Sequence, residues 1–160
     1  MSENRIDTNR IFPQRLTLEG VTPGMEFEEM VFGPLSREDF VRYAEASGDD
    51  NPIHQDEDYA RQQGAPTVFA MGMLNAGFLA TALSHWIGGA QHIRRYKTRF
   101  TNRVWAGDEL ACTGRVVAIE GGLVKITVEA RRRGGGPVGL NLDNEQTAIV
   151  GEADVELPDS

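Results

Sequence analysis

From Ala70 to Ile87 the chain is apolar on nearly every helical side, with Met71, Met73, Leu74, Phe78, Leu79, Leu83, Trp86 and Ile87 leaving no polar face, and Gly88-Gly89 stops the run. A helix of this kind is buried all round, so the pattern predicts a sheet wrapped about it. The chain that follows supplies strands. From His92 to Trp105 the even positions Tyr96, Thr98, Phe100 and Val104 oppose Arg95, Lys97, Arg99 and Arg103, a period of two with one basic face. Ala106-Gly107-Asp108 is a turn, and Glu109 to Ile119 reads as a second strand. Gly121-Gly122 makes a hairpin into a third, Leu123 to Arg132, with Val124, Ile126, Val128 and Ala130 on one face. Gly134 to Glu145 is a loop, and Thr147 to Leu157 is the last strand, with Ile149, Ala153, Val155 and Leu157 inward.

Ahead of the long helix, Pro23-Gly24 turns the chain into an extended run through Phe32. Ser36, with Asp39 in the position of a capping-box acid, starts a helix striped by Phe40, Val41 and Ala44. Asp56 caps a short helix through Gln63 that Gly64 ends. The pattern predicts one α+β domain over residues 21 to 160, an antiparallel sheet around a long buried helix. Residues 1 to 20 show no firm period and are expected to be a surface-draped or poorly ordered leader.

Charge narrows the function. A net charge of -8 and a pI near 4.9 argue against general nucleic-acid binding, which needs an excess of Lys and Arg. The single Cys112 allows neither an intramolecular disulfide nor a thiolate metal cluster within the chain. Met1 to Arg10 lack the apolar core of a secretory signal, and no run reaches the roughly 18 apolar residues of a membrane span. The expectation is a cytoplasmic protein.

The chemistry gathers between Ser47 and Asp56, Ser-Gly-Asp-Asp-Asn-Pro-Ile-His-Gln-Asp. Gly48 and Asp49 end the preceding helix, while Pro52 fixes one backbone angle and holds Asn51 extended, so the loop is stiff. A turn at Asn51 and Pro52 folds Asp49 and His54 toward one another, an acid/base pair able to aim at one small molecule such as water. Asn51 suits locking the loop, since amides are poor acids and bases, and Asp56 suits the cap. At the start of the long helix, Gly72 offers a backbone N–H to a developing negative charge and lets a ligand come close. Asp49, Asp50, His54 and Asp56 lack the spacing of a metal site. No Gly-x-Ser-x-Gly elbow or dinucleotide glycine loop is present. Arg95, Lys97, Arg99 and Arg103, with Arg131 to Arg133, concentrate positive charge, and a solvated face or a phosphate site accounts for them equally well.

Asp49, Asn51, Pro52, Ile53, His54 and Asp56 together resemble the hydratase motif of the MaoC-like dehydratases and (R)-specific enoyl-CoA hydratases, Asp-x-Asn-Pro-Ile/Leu-His followed closely by Asp. The likeness extends loosely from about Gly24 to Leu157. It implies a hot-dog fold and hydration of a trans-2-enoyl-CoA to the (R)-3-hydroxyacyl-CoA, or the reverse, with Asp49 and His54 as the catalytic pair. Which of the two takes the first proton is open. No cofactor is implied beyond the CoA of the substrate. One position departs from the family, which commonly has His-Gly-Met where this chain has Met71-Gly72-Met73.

The uncovered face and edge of one such sheet lead to an expected homodimer or higher homo-oligomer, or a heteromer with a related hot-dog chain. A non-catalytic or partner-dependent acyl-CoA-binding subunit is the second reading, and a hot-dog thioesterase the third. Acyl pocket width falls to Phe69, Met73 and Phe78.

Overall fold

The computed structural model describes residues 16–159. The leader expected over residues 1 to 20 thus lies mostly outside the described residues. Its last part, Leu18–Gly20, is a 3-10 turn tied to the chain's far end through Leu18 N–H to Pro158 O, 2.8 Å.

The first strand, β1 (Met30–Phe32), is shorter than its extended run. Glu26 makes only one isolated bridge to Arg115 before it. Helix α1 (Arg37–Ser47) begins with a complete capping box: Asp39 N–H donates to Ser36 Oγ (3.2 Å) while Ser36 N–H donates to Asp39 Oδ2 (2.8 Å). It stops at Gly48, whose φ of 75° few other residues adopt without strain. Asp56 caps α2 (Glu57–Gln62) through Tyr59 N–H, 2.9 Å.

The long helix α3 runs Gly72–Trp86, and β2 (Ile93–Phe100), β3 (Glu109–Glu120), β4 (Leu123–Arg133) and β5 (Glu145–Val155) follow. They form one antiparallel sheet in the order β1-β3-β4-β5-β2. Gly121 and Gly122, both at positive φ, make the two-residue turn that pairs Glu120 with Leu123.

The core lies between α3 and the sheet. Ala76, Leu79, Ala82, Leu83 and Trp86 are buried against Val116 and Cys112 of β3, Val124, Ile126, Val128 and Ala130 of β4, and Ile149, Ala153 and Val155 of β5. Burial, not propensity, makes this helix. Its N-cap Met71 gives no side-chain hydrogen bond, and Gly77 costs about 1 kcal/mol relative to Ala. Burying Leu79 and Leu83 fully returns about 2 kcal/mol each. Trp86 fits because Gly114 of β3 has no side chain: a Cβ there would stand 2.7 Å from Trp86 Cζ3. Phe27 stacks on the same indole, centroids 5.3 Å apart.

Three expectations need correction. The helix is not buried all round in a single chain, since Met73 is 63% exposed and Gly77 and Thr81 on the same stripe are open. Strand β2 ends at Phe100, five residues early, because Thr101 and Asn102 N–H both turn to Ala148 O. Arg131 to Arg133, which fit a solvated face or a phosphate site equally well from the sequence, are instead engaged within the fold. Arg131 pairs with Glu129 and Glu145, Arg133 with Glu29 and Glu145, and Arg132 points inward with no exposure at all.

Candidate active site

The loop after α1 is tied at almost every residue. Asp49 N–H reaches Ser47 Oγ at 3.2 Å, and Asn51 N–H approaches Asp49 Oδ1 at 3.5 Å. Asn51 Oδ1 accepts from Ile53 N–H at 3.1 Å and so caps the 3-10 turn Pro52–His54, with Pro52 opening it. His54 N–H closes the turn on Asn51 O, 3.2 Å. Asn51 thus holds the backbone that carries His54.

The imidazole is fixed separately. His54 Nδ1 lies 2.8 Å from Phe69 O. A carbonyl only accepts, so Nδ1 carries the proton, and in the neutral ring Nε2 keeps its lone pair. The Phe69 ring stands edge-on to the imidazole at 5.0 Å. Phe69 is itself held from the other side: it bridges Trp105, its ring meets the Trp105 indole at 6.0 Å, and the Arg103 guanidinium sits 4.6 Å above it.

Phe69 is also where the two halves of the site meet. Ala70 N–H binds Val104 O at 2.9 Å, and α3 begins at Gly72 just beyond. The His54 ring is therefore anchored three residues before the first turn of α3, whose N–H groups have no side-chain cap. Gly72 is pressed by Phe100 of β2: a Cβ would lie 3.1 Å from the ring, which is itself 48% exposed. That contact is one reason for glycine here beside the close approach of a ligand. Met71 is buried in the core, and its side chain takes no polar contact among the described residues.

The structure thus brings His54 and Gly72 to one end of α3 and places Asp49 and Asn51 on the adjoining loop. No hydrogen bond joins Asp49 to His54 directly among the described residues. None of the described cavities is lined by Asp49, His54 or Gly72. The largest, about 580 Å³, lies mid-sheet among Thr113, Arg115, Thr127, Glu129 and Val150. One of about 360 Å³ lies beside the site, lined by Arg37, Glu57, Thr67 and Trp105. There Arg37 hydrogen-bonds Glu57 and, with Arg61, holds its carboxyl below the usual range. Among the described residues, no group of three or more His, Cys, Asp or Glu converges as a metal site would require.

Sequence reasoning missed the supports of this site. Phe69 carried only the mark of a pocket wall, and nothing in the string signals that its carbonyl orients His54. A buried pair lies behind it. Asp108 Oδ2 accepts from Trp105 N–H at 2.9 Å and stands 3.5 Å from Arg132 Nη1. Arg132 also donates to Gly134 O, Asp143 O and Gln146 Oε1. Asp108 is the turn residue, and Arg132 continues the inward alternation of Ala130, which was the available signal.

Residues 15–133 match the family model of the MaoC like domain. The chain belongs to the MaoC-like family. It is 30% identical over 124 residues to a mitochondrial 3-hydroxyacyl-[acyl-carrier-protein] dehydratase of Arabidopsis thaliana, covering 78% of this chain and 71% of that one. It spans only about 6% of the length of the fungal fatty acid synthase beta subunits it also matches. The (R)-hydratase from A. caviae involved in PHA biosynthesis superposes with a TM-score of 0.71 at 22% identity, over 88% of this chain and 99% of that chain. A chain of the ChsH1-ChsH2 complex from Mycobacterium tuberculosis gives 0.70 at 20%, over 85% and 98%. These likenesses establish the hot-dog fold, a five-strand antiparallel sheet with one long helix. The MaoC-like family is one of hydratases and dehydratases, which makes hydro-lyase chemistry the relevant class.

Proposed function

We propose that the chain adds water to a trans-2-enoyl thioester, giving the (R)-3-hydroxyacyl thioester, or runs the reverse, with Asp49 and His54 as the acid/base pair. The observation that carries this reading is the His54 Nδ1 contact to Phe69 O, which leaves Nε2 as a proton acceptor on a ring anchored three residues before the uncapped N-terminus of α3. In this reading Nε2 and the Asp49 carboxylate hold the water. Nε2 takes its proton as the water oxygen bonds C3. The electrons of the double bond move toward the thioester oxygen, which the Gly72 N–H receives, aided by the positive end of the helix. The proton on Nε2 then goes to C2, and no atom is left over. The (R) outcome is taken from the resemblance to (R)-hydratases and not from the geometry.

The thioester is read as that of CoA. Lys97, Arg99 and Arg103 have no carboxylate within 4.0 Å among the described residues, whereas Arg94 and Arg95 beside them pair with Glu156 and Glu152. The unpaired strip adjoins Phe69 and Phe100 and suits the phosphates of an anionic carrier.

A second reading has its own support. The open stripe of Met73, Gly77 and Thr81 on α3, the free edge of β2, and the lack of a described cavity around His54 all suit a site completed by another chain. A second copy is the simpler occupant. A related hot-dog chain is the alternative, in keeping with the name of the ChsH1-ChsH2 complex. In that case the chain alone binds acyl-CoA without turning it over. Loss of enoyl thioester absorbance, measured on the purified chain with a series of 2-enoyl-CoA esters and light scattering alongside, tests both. Turnover by a homo-oligomer supports the first reading. Binding without turnover supports the second, and free CoA release from a saturated acyl-CoA points to a thioesterase instead.

A further inference from the structure

Asn75 is a polar residue in an apolar place. It is 4% exposed, in the row of α3 side chains that faces the sheet, and its Oδ1 is buried without a hydrogen-bond partner. No described residue bonds its amide from any direction. Native folds seldom leave such an atom unsatisfied, because its hydration is lost and nothing replaces it.

Its surroundings explain why the fold does not satisfy it. One turn earlier on the same face is Met71, fully buried, whose thioether has no proton to give. The open stripe of Met73, Gly77 and Thr81, where the second reading would seat another chain, lies on the other side of α3 from Asn75. Helical side chains lean toward the helix N-terminus, so the amide lies over the first turn, beside Gly72. Under the enoyl thioester reading, in which the thioester oxygen meets that turn, Asn75 is the buried polar group nearest along the helix to the acyl carbons.

We infer that the Asn75 amide reads the acyl group: its Oδ1 accepts from a hydroxyl or N–H that the acyl chain carries beyond the reacting carbons. The inference rests on the enoyl thioester reading above and adds the substrate class, a donor-bearing acyl chain over a plain alkyl one.

The test compares hexanoyl-CoA with its 4-, 5- and 6-hydroxy derivatives by titration calorimetry on the full chain, its Asn75→Leu variant and Asn75→Ala as a second. Leucine is close to the same size and apolar, so the fold is kept. The wild type should bind at least one hydroxylated ester about tenfold more tightly than hexanoyl-CoA, the worth of one net hydrogen bond. That preference should fall to about onefold in both variants, while Asn75→Leu keeps or improves its affinity for hexanoyl-CoA. Equal affinities in the wild type, or a preference that survives Asn75→Leu, overturn the assignment. Turnover of trans-2-hexenoyl-CoA and of its hydroxylated derivatives is measured in parallel. Turnover with no hydroxyl preference sinks only the role of Asn75, a preference without turnover sinks only the hydratase reading, and failure to bind any acyl-CoA sinks both.

Discussion

Asp108→Ala should weaken the fold far more than a surface turn substitution, because it strands a charge. Arg132 is fully buried and Asp108 is 1% exposed, with Nη1 and Oδ2 3.5 Å apart. Two unit charges at that distance attract by about 5 kcal/mol at an effective dielectric of about 20. Removing one partner of a buried pair costs about 3–5 kcal/mol, mostly the penalty of the charge left behind. The same carboxylate accepts from Trp105 N–H at 2.9 Å, so the variant also orphans a buried donor. Asp108→Asn keeps an acceptor for Trp105 and should lose about half as much. Urea unfolding followed by tryptophan fluorescence measures this as a lower midpoint at unchanged slope. The Asp108→Ala, Arg132→Met double variant should recover about 2 kcal/mol or more relative to the sum of the single losses, since neither charge then lacks its partner. A loss under about 1 kcal/mol for Asp108→Ala, or strict additivity in the double variant, would refute the coupling.

Other outcomes follow from the same contacts. Gly72→Ala should leave stability within about 1 kcal/mol, because alanine suits a helix and half-exposed Phe100 can give way, yet hydration should fall at least tenfold as the methyl group and displaced ring crowd the N–H; unchanged turnover would remove Gly72 from the oxyanion role. Asn51→Ala should lower activity while costing about 1 kcal/mol, the loss of a cap at Ile53 N–H, measured by the same unfolding and absorbance assays. Burial, and then the nearby charge of Glu29, pushes the Cys112 thiol up from 9.0 to about 12. The folded chain therefore keeps a proton that the unfolded chain releases, and this contribution to stability is complete below pH 9 and lost as pH rises from 9 toward 12. Melting temperature should decline across that window. In Cys112→Ala the decline should begin later, near the ordinary value of 10.0 for Tyr96, whose hydroxyl burial also raises. Identical profiles for the two proteins would contradict it.

Much of the architecture is legible because its causes are local. Ser36 and Asp39 build a capping box from a spacing of three, Gly48 stops α1, Asn51 and Asp56 cap the turns after it, and Gly121-Gly122 reads directly as a hairpin. Period-two alternation located β3, β4 and β5 to within a few residues. What the string hides is set by contacts between distant segments. The alternation through Ala130 points Arg132 inward, but its partners Asp108 and Gln146 come from distant segments and are set by the sheet register. Strand β2 stops early because Asn102 N–H turns to the Ala148 O already bonded by Thr101, while both side chains donate to Thr147 O. The apolar character of α3 promised complete burial, yet one chain covers only the sheet-facing side, so the remaining stripe states a need that a single sheet does not meet. At the site, Asp49, Asn51 and His54 stand out by composition. The Phe69 carbonyl that fixes the imidazole, the Phe100 ring over Gly72 and the unpartnered amide of Asn75 do not, since each depends on where the backbone passes.

The acid/base pair itself is tested most directly by hydration kinetics of Asp49→Asn and His54→Ala beside the wild type, followed as loss of enoyl thioester absorbance at matched protein concentration and with unfolding midpoints recorded for each. Each variant should keep the wild-type stability within about 1 kcal/mol, as both positions sit on a partly exposed loop, and lose at least a hundredfold in kcat, as removal of a positioned acid or base does. A folded His54→Ala variant that hydrates enoyl-CoA at close to the wild-type rate would contradict the assignment and move the chemistry away from this loop.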